Sequence, residues 1–313
     1  MTKDGGDRMT RTASARDVPA LKALWQTVFG DDAEDIDYFF DVYFSPGLTA
    51  VIGAPEAPAA AAYALPVGDL ILPDGEIVLR DAMRVPCAMI YAVATHPEFR
   101  GRGYGAAVSR AAERLAVGAG FPAAVLKPAD AGLFDFYEKH TDFRPFFGAY
   151  EFKLTRDQLT PAPAWTPSPV SPGEYRRLRN RFLAGLAYID ADERALGYQQ
   201  HLSALAGGGL YALLEGGNAV GCAIAEKGGG AIAEKGGNDV VIKELLAADG
   251  CRLLDAVSAL ASLLDSRRYL VRTPTPSEEA HGAPVPFGML LPVAGLERCR
   301  SAQSATWYGP AFD

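Results

Sequence analysis

The chain has 313 residues, 49% of them hydrophobic, with a net charge of −8 and a pI near 5.1. That length holds two domains of ordinary size, each able to bury a core. The acidic balance argues against nucleic-acid binding, which needs a basic face. It suits a cationic acceptor. No apolar run reaches the ~18 residues of a membrane span, and no signal peptide is visible, so a cytoplasmic protein with no membrane partner is expected. Cys87, Cys222, Cys251 and Cys299 are scattered without a CxxC pair, which reads as reduced thiols. The four histidines show no ligand spacing, so no metal is expected.

Residues 1–10 read as a disordered leader. Asp17 is a candidate N-cap for a helix with Leu21, Leu24, Trp25, Val28 and Phe29 on its apolar face, stopped at Gly30. A second helix is expected near 33–44, before Pro46. Strands are expected at 49–53, 59–66, 69–73 and 76–80, with a Pro-Asp-Gly turn at 73–75. A strand at 88–95, a helix at about 104–118, a strand at 122–127, a helix at 130–140 and a strand at 146–154 follow. This order is an α/β layer arrangement.

The run Val93–Gly105, VATHPEFRGRGYG, stands between the strand at 88–95 and its helix. A helix start leaves backbone N–H groups without partners at the positive end of the dipole, so it stabilises an anion. Gly101, Gly103 and Gly105 let the chain turn sharply and let a phosphate approach the backbone. Arg100 and Arg102 add forked, charge-assisted donors. A Walker A loop would end in Gly-Lys-Ser/Thr, and this one ends Gly-Tyr-Gly-Ala. The dinucleotide fingerprint needs G-x-G-x-x-G, and the loop offers G-x-G-x-G.

Arg100-x-x-Gly103-x-Gly105 does fit another pattern. It resembles motif A of the GNAT N-acetyltransferases, which bind the acetyl-CoA pyrophosphate there. MIYAVATHPEFRGRGYG at 89–105 is similar to that family's strand and loop, and LFDFYEKHTDF at 133–143 to its later helix and tyrosine. The resemblance implies an α/β (α+β) chain of tandem GNAT folds, with a mixed central sheet flanked by helices. It also implies acetyl-CoA as cosubstrate. Backbone groups of Val93, Ala94 and Thr95 would pair with the pantetheine arm as though it were another strand. One N–H of that segment would polarise the thioester oxygen, as in an oxyanion hole. Arg100, Gly101, Arg102, Gly103, Tyr104, Gly105 and Ala106 would hold the pyrophosphate. Tyr137 would protonate the departing thiolate, a sensible match for a phenol. On periodicity alone, Tyr137 reads as an amphipathic-helix residue packing with Phe134 and Phe136, and its spacing from the coenzyme loop favours the catalytic role.

TPAPAWTPSPVSP at 160–172 holds five prolines and reads as a stiff interdomain linker. Ser171 and Glu174 then form a capping box with Pro172 at the first helical position. Helices at 172–186 and 191–206, strands near 209–215, 219–225 and 239–247, a helix at 251–264 and strands near 268–273, 287–293 and 305–312 are expected. This echoes the first half and suggests a duplicated fold. AIAEKGGG at 223–230 recurs as AIAEKGGN at 231–238, which suits a hairpin or a slippage duplication. After 239–247 the glycine–arginine loop has no counterpart, and Asp249 there would repel a diphosphate. FGMLLPV at 287–293 and the ending WYGPAFD resemble the second domain of the tandem, Eis-like group of that family, without its sterol-carrier-like third domain. The expected organisation is a leader (1–10), a catalytic GNAT domain (11–157), a linker (158–172) and a second, degenerate GNAT-like domain (173–313) that shapes or covers the active site.

The expected reaction is acetyl transfer from acetyl-CoA to a primary amine, small-molecule or peptide, by direct attack in a ternary complex. The rival is a non-catalytic acyl-CoA-binding or regulatory protein on the same fold. A homo-oligomer is compatible with either. For the base, His96, His140 and the acidic helix Asp31–Asp41 stand as candidates beside a water relay, and the resemblance to the Eis-like group adds the terminal carboxylate of Asp313. Each side chain has a plainer role as a turn residue, a helix cap or a solvated face.

Overall fold

The computed structural model describes residues 9–73, 82–160, 164–228, 239–248, 250–292 and 306–312. They divide into two compact units interleaved along the chain. The first takes the described residues of Met1–Val67, Val85–Pro145 and Met289–Ala294, the second those of Gly68–Arg84, Phe146–Gly288 and Gly295–Asp313. The expected leader, the strand at 76–80, the second copy of the short repeat, Asp249 and Asp313 lie outside the described residues.

The first unit begins with β1 (Thr10–Thr12), then helices α1 (Val18–Phe29) and α2 (Ala33–Val42). Strands β2 (Thr49–Ala54), β3 (Ala57–Leu72) and β4 (Met83–Thr95) lead to α3 (Tyr104–Gly118), β5 (Ala123–Leu126) and α4 (Ala131–His140). Its sheet runs β1-β2-β3-β4-β5, and Met289 and Leu290, from far along the chain, pair beyond β5 with Leu126 and Val125. Helix α1 stops at Gly30, which takes the left-handed φ of 81° that a side chain would resist. Helix α3 packs its alanine face (Ala107, Ala111, Ala112, Ala116) on Ala60, Ala62, Ala88 and Ala124 of the sheet. Small residues on both surfaces let helix and strands approach closely.

Asp17, buried beside α1, accepts hydrogen bonds from Arg11, the Ser14 N–H and the Ser14 hydroxyl. The Arg11 guanidinium, foremost among these, holds its carboxyl down to about 2. A carboxyl lowered in the folded state stabilises the fold above its unfolded pKa, and that contribution fades as pH falls through the folded value.

The second unit contains β6 (Arg144–Thr155), β7 (Thr166–Pro169), α5 (Pro172–Phe182), β8 (Ala187–Ala191) and α6 (Glu193–Leu205). Strands β9 (Gly209–Glu215), β10 (Asn218–Lys227) and β11 (Val240–Ala247) follow, then α7 (Leu253–Ala261), β12 (Arg268–Thr273), β13 (Gly282–Leu290) and β14 (Thr306–Trp307). The sheet runs β13-β6-β12-β11-β10-β9-β7. The Ser171 hydroxyl caps α5 by accepting the Glu174 N–H at 3.2 Å.

Three expectations change. The strands at 59–66 and 69–73 are the single β3, because Gly68 does not end it. A Cβ on Gly68 would lie 2.0 Å from the Asp190 carbonyl of the paired β8, so the missing side chain serves a close approach. The proline-rich stretch ends in β7, whose Thr166–Pro169 pair antiparallel with β9 at the sheet's edge, where proline is tolerated. Only Thr306 and Trp307 of the expected last strand pair, in parallel with β8. The remainder, through Phe312, is inlaid as buried coil.

An ion pair fixes that inlay. Arg179 and Glu244 are both fully buried, with Arg179 Nε 3.0 Å from Glu244 Oε1. The Tyr175 hydroxyl donates to Glu244 at 2.8 Å, and the Trp307 indole N–H donates to its other oxygen. Arg179 also donates to the carbonyls of Ile189 and Tyr308. Gly309 has φ 81°, and a Cβ there would lie 2.2 Å from the guanidinium. Glu244→Ala leaves Arg179 buried without its partner and is expected to cost about 3–5 kcal/mol in urea unfolding. The double change Arg179→Met with Glu244→Leu is expected to recover much of that. In acid unfolding, Asp17→Asn is expected to remove roughly 2 kcal/mol at neutral pH. Its difference from the unsubstituted protein should vanish between about pH 4 and pH 2.

Candidate functional site

Strand β4 is hydrogen-bonded along one edge to β3, and this continues past its end, where the His96 N–H donates to the Ala59 carbonyl at 2.9 Å. Its other edge behaves differently. The parallel register with β5 covers Cys87–Met89 against Ala123–Val125. Three residues beyond Met89, Ala92 has a φ of 46°, a left-handed backbone unusual for a side-chain-bearing residue inside a strand. Such a distortion swings a strand out of register with one neighbour. Tyr91, Ala92 and Val93 are half-buried where the preceding Cys87–Ile90 are buried. The last β4 residues, including Val93, Ala94 and Thr95, therefore offer a strand edge beside β5 that the sheet does not use.

That edge leads into the loop. Pro97–Phe99 forms one 3₁₀ turn, with the His96 ring nitrogen accepting the Glu98 N–H at 3.4 Å. His96 is thus a turn residue. Gly101 and Gly103 take φ values of 75° and 77°, and Gly103 is the N-cap of α3. The first α3 bond runs from the Ala107 N–H to the Gly103 carbonyl at 3.1 Å. The N–H groups of Tyr104, Gly105 and Ala106 consequently have no partner within the helix. Arg100 and Arg102 are exposed, Arg102 lies 5.1 Å over the Phe99 ring, and Phe99 stacks on Tyr104. Two arginines thus flank a helix start whose first N–H groups have no partner within the helix, and such a helix end stabilises an anion.

Tyr137 lies on α4 and packs in the same cluster as Ala88, Ile90, Ala107 and Leu126. Burial pushes its phenol up to about 12, while a hydrogen bond with Ser109 pulls the other way. The phenol is therefore protonated at neutral pH. Ser109, in turn, donates to the Gly105 carbonyl at 2.8 Å. Gly105 itself faces Thr95 and Phe136, 3.5 and 3.9 Å from where its Cβ would stand. The end of β4, the first turn of α3 and helix α4 thus meet around Gly105. Sequence reasoning missed Ala92 and Ser109. Ser109 had one signal, a hydroxyl on an otherwise apolar helix face four residues after a motif glycine.

Some of the candidate bases make other contacts. The His140 ring packs against Phe136, and its carbonyl accepts from Arg110 at 2.5 Å. In the acidic helix region Asp31 accepts the Trp25 indole N–H at 2.7 Å and Asp37 pairs with Lys22. Cys87 is fully buried. Among the described residues, no group of three or more His, Cys, Asp or Glu side chains could hold a metal ion, and no helix is long and apolar enough to cross a membrane.

Residues 9–140 match a family model described as an acetyltransferase (GNAT) domain. The matched segment spans the β4 edge, the glycine–arginine loop and Tyr137. The chain is also similar to a probable N-acyltransferase from Enterococcus faecalis V583 (15% identity, 93% of this chain and 73% of that one, TM-score 0.63). A GCN5-related N-acetyltransferase from Anabaena variabilis gives 18% identity over 90% and 71%, with a TM-score of 0.64. Eis1 from Mycobacterium abscessus gives 12% over 90% and 72%, with a TM-score of 0.57. At such low identity these likenesses bear on the fold alone, a mixed α/β fold of GNAT type. No curated protein matches the sequence.

The second unit treats its own helix start differently. After β11, α7 begins at Leu253, and the Leu254 N–H donates to the Glu279 carboxylate at 3.0 Å, with Arg252 paired to the same carboxylate. An internal anion occupies that place.

The site geometry separates the glycines of the GNAT loop. Gly103→Ala forces a side chain into left-handed backbone and is expected to cost about 1–2 kcal/mol in thermal or urea unfolding. Gly105→Ala meets only ordinary contacts and is expected to leave stability within about 0.5 kcal/mol of the unsubstituted protein.

Proposed function

We propose that this chain transfers an acetyl group from acetyl-CoA to a primary amine, small-molecule or peptide, by direct attack within a ternary complex. The observation that carries this is the continuity of the site. An unused strand edge runs past the Ala92 distortion straight into an anion-binding helix start, with a neutral, buried phenol alongside. A long ligand with amide groups at one end and a diphosphate at the other matches that sequence of features.

In this reading, backbone groups of Val93, Ala94 and Thr95 hydrogen-bond the pantetheine amides as an added strand. One N–H of the same segment polarises the thioester carbonyl as the amine attacks. Arg100, Arg102 and the N–H groups of Gly101, Gly103, Tyr104, Gly105 and Ala106 hold the pyrophosphate. Tyr137 gives its proton to the departing thiolate. A phenol held near 12 stays protonated until the thiolate forms, which suits a general acid. The excess negative charge of the chain favours the approach of a cationic amine, which water relieves of its proton.

A thiol-release assay with acetyl-CoA and a panel of amines, run alongside calorimetry with coenzyme A, tests the proposal. Release with at least one amine supports it; tight coenzyme A binding with no release from any amine identifies a non-catalytic acyl-CoA-binding protein instead. Tyr137→Phe is expected to cut turnover about 100-fold or more while leaving the coenzyme A affinity within about twofold. Unchanged turnover removes Tyr137 from the chemistry. Arg100→Ala is expected to weaken coenzyme A binding about tenfold or more, with the loss shrinking as salt rises.

A further inference from the structure

We infer that Tyr63 receives the acceptor: its hydroxyl oxygen accepts an N–H of the attacking amine and holds the nitrogen toward the thioester carbon. This rests on the proposal that acetyl-CoA lies along the end of β4. Ala59, near the start of β3, meets His96, just past the end of β4, so the two strands run antiparallel. Tyr63, four residues after Ala59, therefore stands level with Ala92, four residues before His96. That is the place where β4 parts from β5. Contacts fix the side of the sheet. Ala60, Ala62 and Ala64 face α3, in the cluster that also holds Tyr137. Tyr63 alternates with them and turns to the other face, its ring 5.5 Å from that of Trp25 on α1 and 5.2 Å from that of Phe39 on α2. Tyr137 and Tyr63 thus flank the parting from opposite faces. The Tyr137 face belongs to the departing sulfur, which leaves the Tyr63 face for the amine.

One observation singles out the hydroxyl. Tyr63 is only 2% exposed, yet among the described residues its oxygen has no hydrogen-bond partner. A buried hydroxyl without a partner is destabilising and uncommon, and it calls for a ligand or a catalytic use. The polar groups around it are engaged with one another. The Trp25 indole N–H donates to Asp31 at 2.7 Å, and the Thr49 hydroxyl, on the strand paired with Tyr63, donates to the Ser45 carbonyl at 2.8 Å. The Tyr63 oxygen is not sealed in, so the little surface the residue keeps includes its hydroxyl. Tyr91, Ala92 and Val93 are half-buried at the same level of β4, where the parting opens. Burial pushes the phenol well up, so it keeps its proton at neutral pH and offers lone pairs to an N–H donor. As the C–N bond forms and the C–S bond breaks, the surplus proton on nitrogen passes to water and Tyr137 protonates the thiolate. Water then returns a proton to Tyr137. Tyr63 neither gives nor takes one; it binds and aims.

The test uses the full chain, acetyl-CoA and any amine active in the thiol-release panel. Tyr63→Phe removes the oxygen and keeps the ring. It is expected to lower kcat/KM for the amine about tenfold, while the KM for acetyl-CoA and the calorimetric affinity for coenzyme A stay within about twofold. Its melting temperature is expected to equal that of the unsubstituted protein or exceed it by up to about 4 °C, because a buried polar group without a partner is lost. A hydroxyl kept for structure alone would give the reverse, a lower melting temperature with unchanged use of the amine. A second readout needs no turnover. Titrated into protein saturated with coenzyme A, the amine is expected to bind Tyr63→Phe about tenfold more weakly. An unchanged kcat/KM for the amine, a loss that falls equally on acetyl-CoA, unchanged amine binding, or a lowered melting temperature would each overturn the inference. If the unsubstituted protein binds coenzyme A but releases thiol with no amine, the proposed function fails first and the role of Tyr63 falls with it.

Discussion

The first unit depends on a parting of two strands. Strands β4 and β5 share a parallel register over three residue pairs and no more, and Ala92 carries a backbone twist that a strand does not adopt spontaneously. An alanine held at positive φ costs on the order of 1 kcal/mol, so the surrounding packing must over-determine it. The β3 side of β4 stays bonded through His96, and the alanine face of α3 presses on Ala88 and Ala124 just before the strands separate. A sheet normally satisfies every interior N–H and C=O. Among the described residues, the sheet leaves an interior row unused, and the strain needed to do so is placed beside the glycine–arginine loop proposed to hold an anion.

The electrostatics of the site follow the same logic of groups prepared in advance. On the proposed reading, positive charge and N–H groups without an intrahelical partner stand at the α3 start, where a ligand's negative charge would sit. The phenol is kept neutral by burial, where a proton would be needed. Neither feature requires rearrangement at the moment of reaction, which is why preorganised dipoles contribute so much to acyl transfer. The buried Arg179–Glu244 pair in the second unit is a different kind of device. Its two charges are spent on each other and on Tyr175, Trp307 and two carbonyls, and they fix a coil rather than a chemistry.

Local signals in the sequence carried far. Gly30, Ser171 with Pro172, and the Arg100–Gly105 loop announce themselves because their conformations are set by a few neighbouring residues, and the bounds of α3 follow from them. What the sequence hid is non-local. Nothing in Pro66-Val67-Gly68 says that a carbonyl of β8 will press against Gly68, so the breakers read as a break. β8 itself, five residues long between two helices, leaves almost no periodicity to detect. The membership of Met289 and Leu290 in the first unit's sheet is a pairing across more than half the chain, which no window can see. Ala92 is the sharpest case, since a residue with a side chain rarely takes left-handed backbone inside a strand; its angle is imposed by tertiary packing. The resemblance alone singles out Tyr137, and its burial beside the first turns of α3 needed coordinates.

The Glu279 carboxylate at the start of α7 has a consequence of its own. A helix start is an equal offer to any anion, and the winner is decided by local concentration. A carboxylate on the same chain, braced by Arg252, competes at an effective concentration of roughly millimolar or more without ever diffusing away. A free diphosphate at cellular levels would have to evict it. The two helix starts of this protein thus differ less in their intrinsic appetite for negative charge than in ownership. One is held by a tenant built into the chain, and the other is left for a guest.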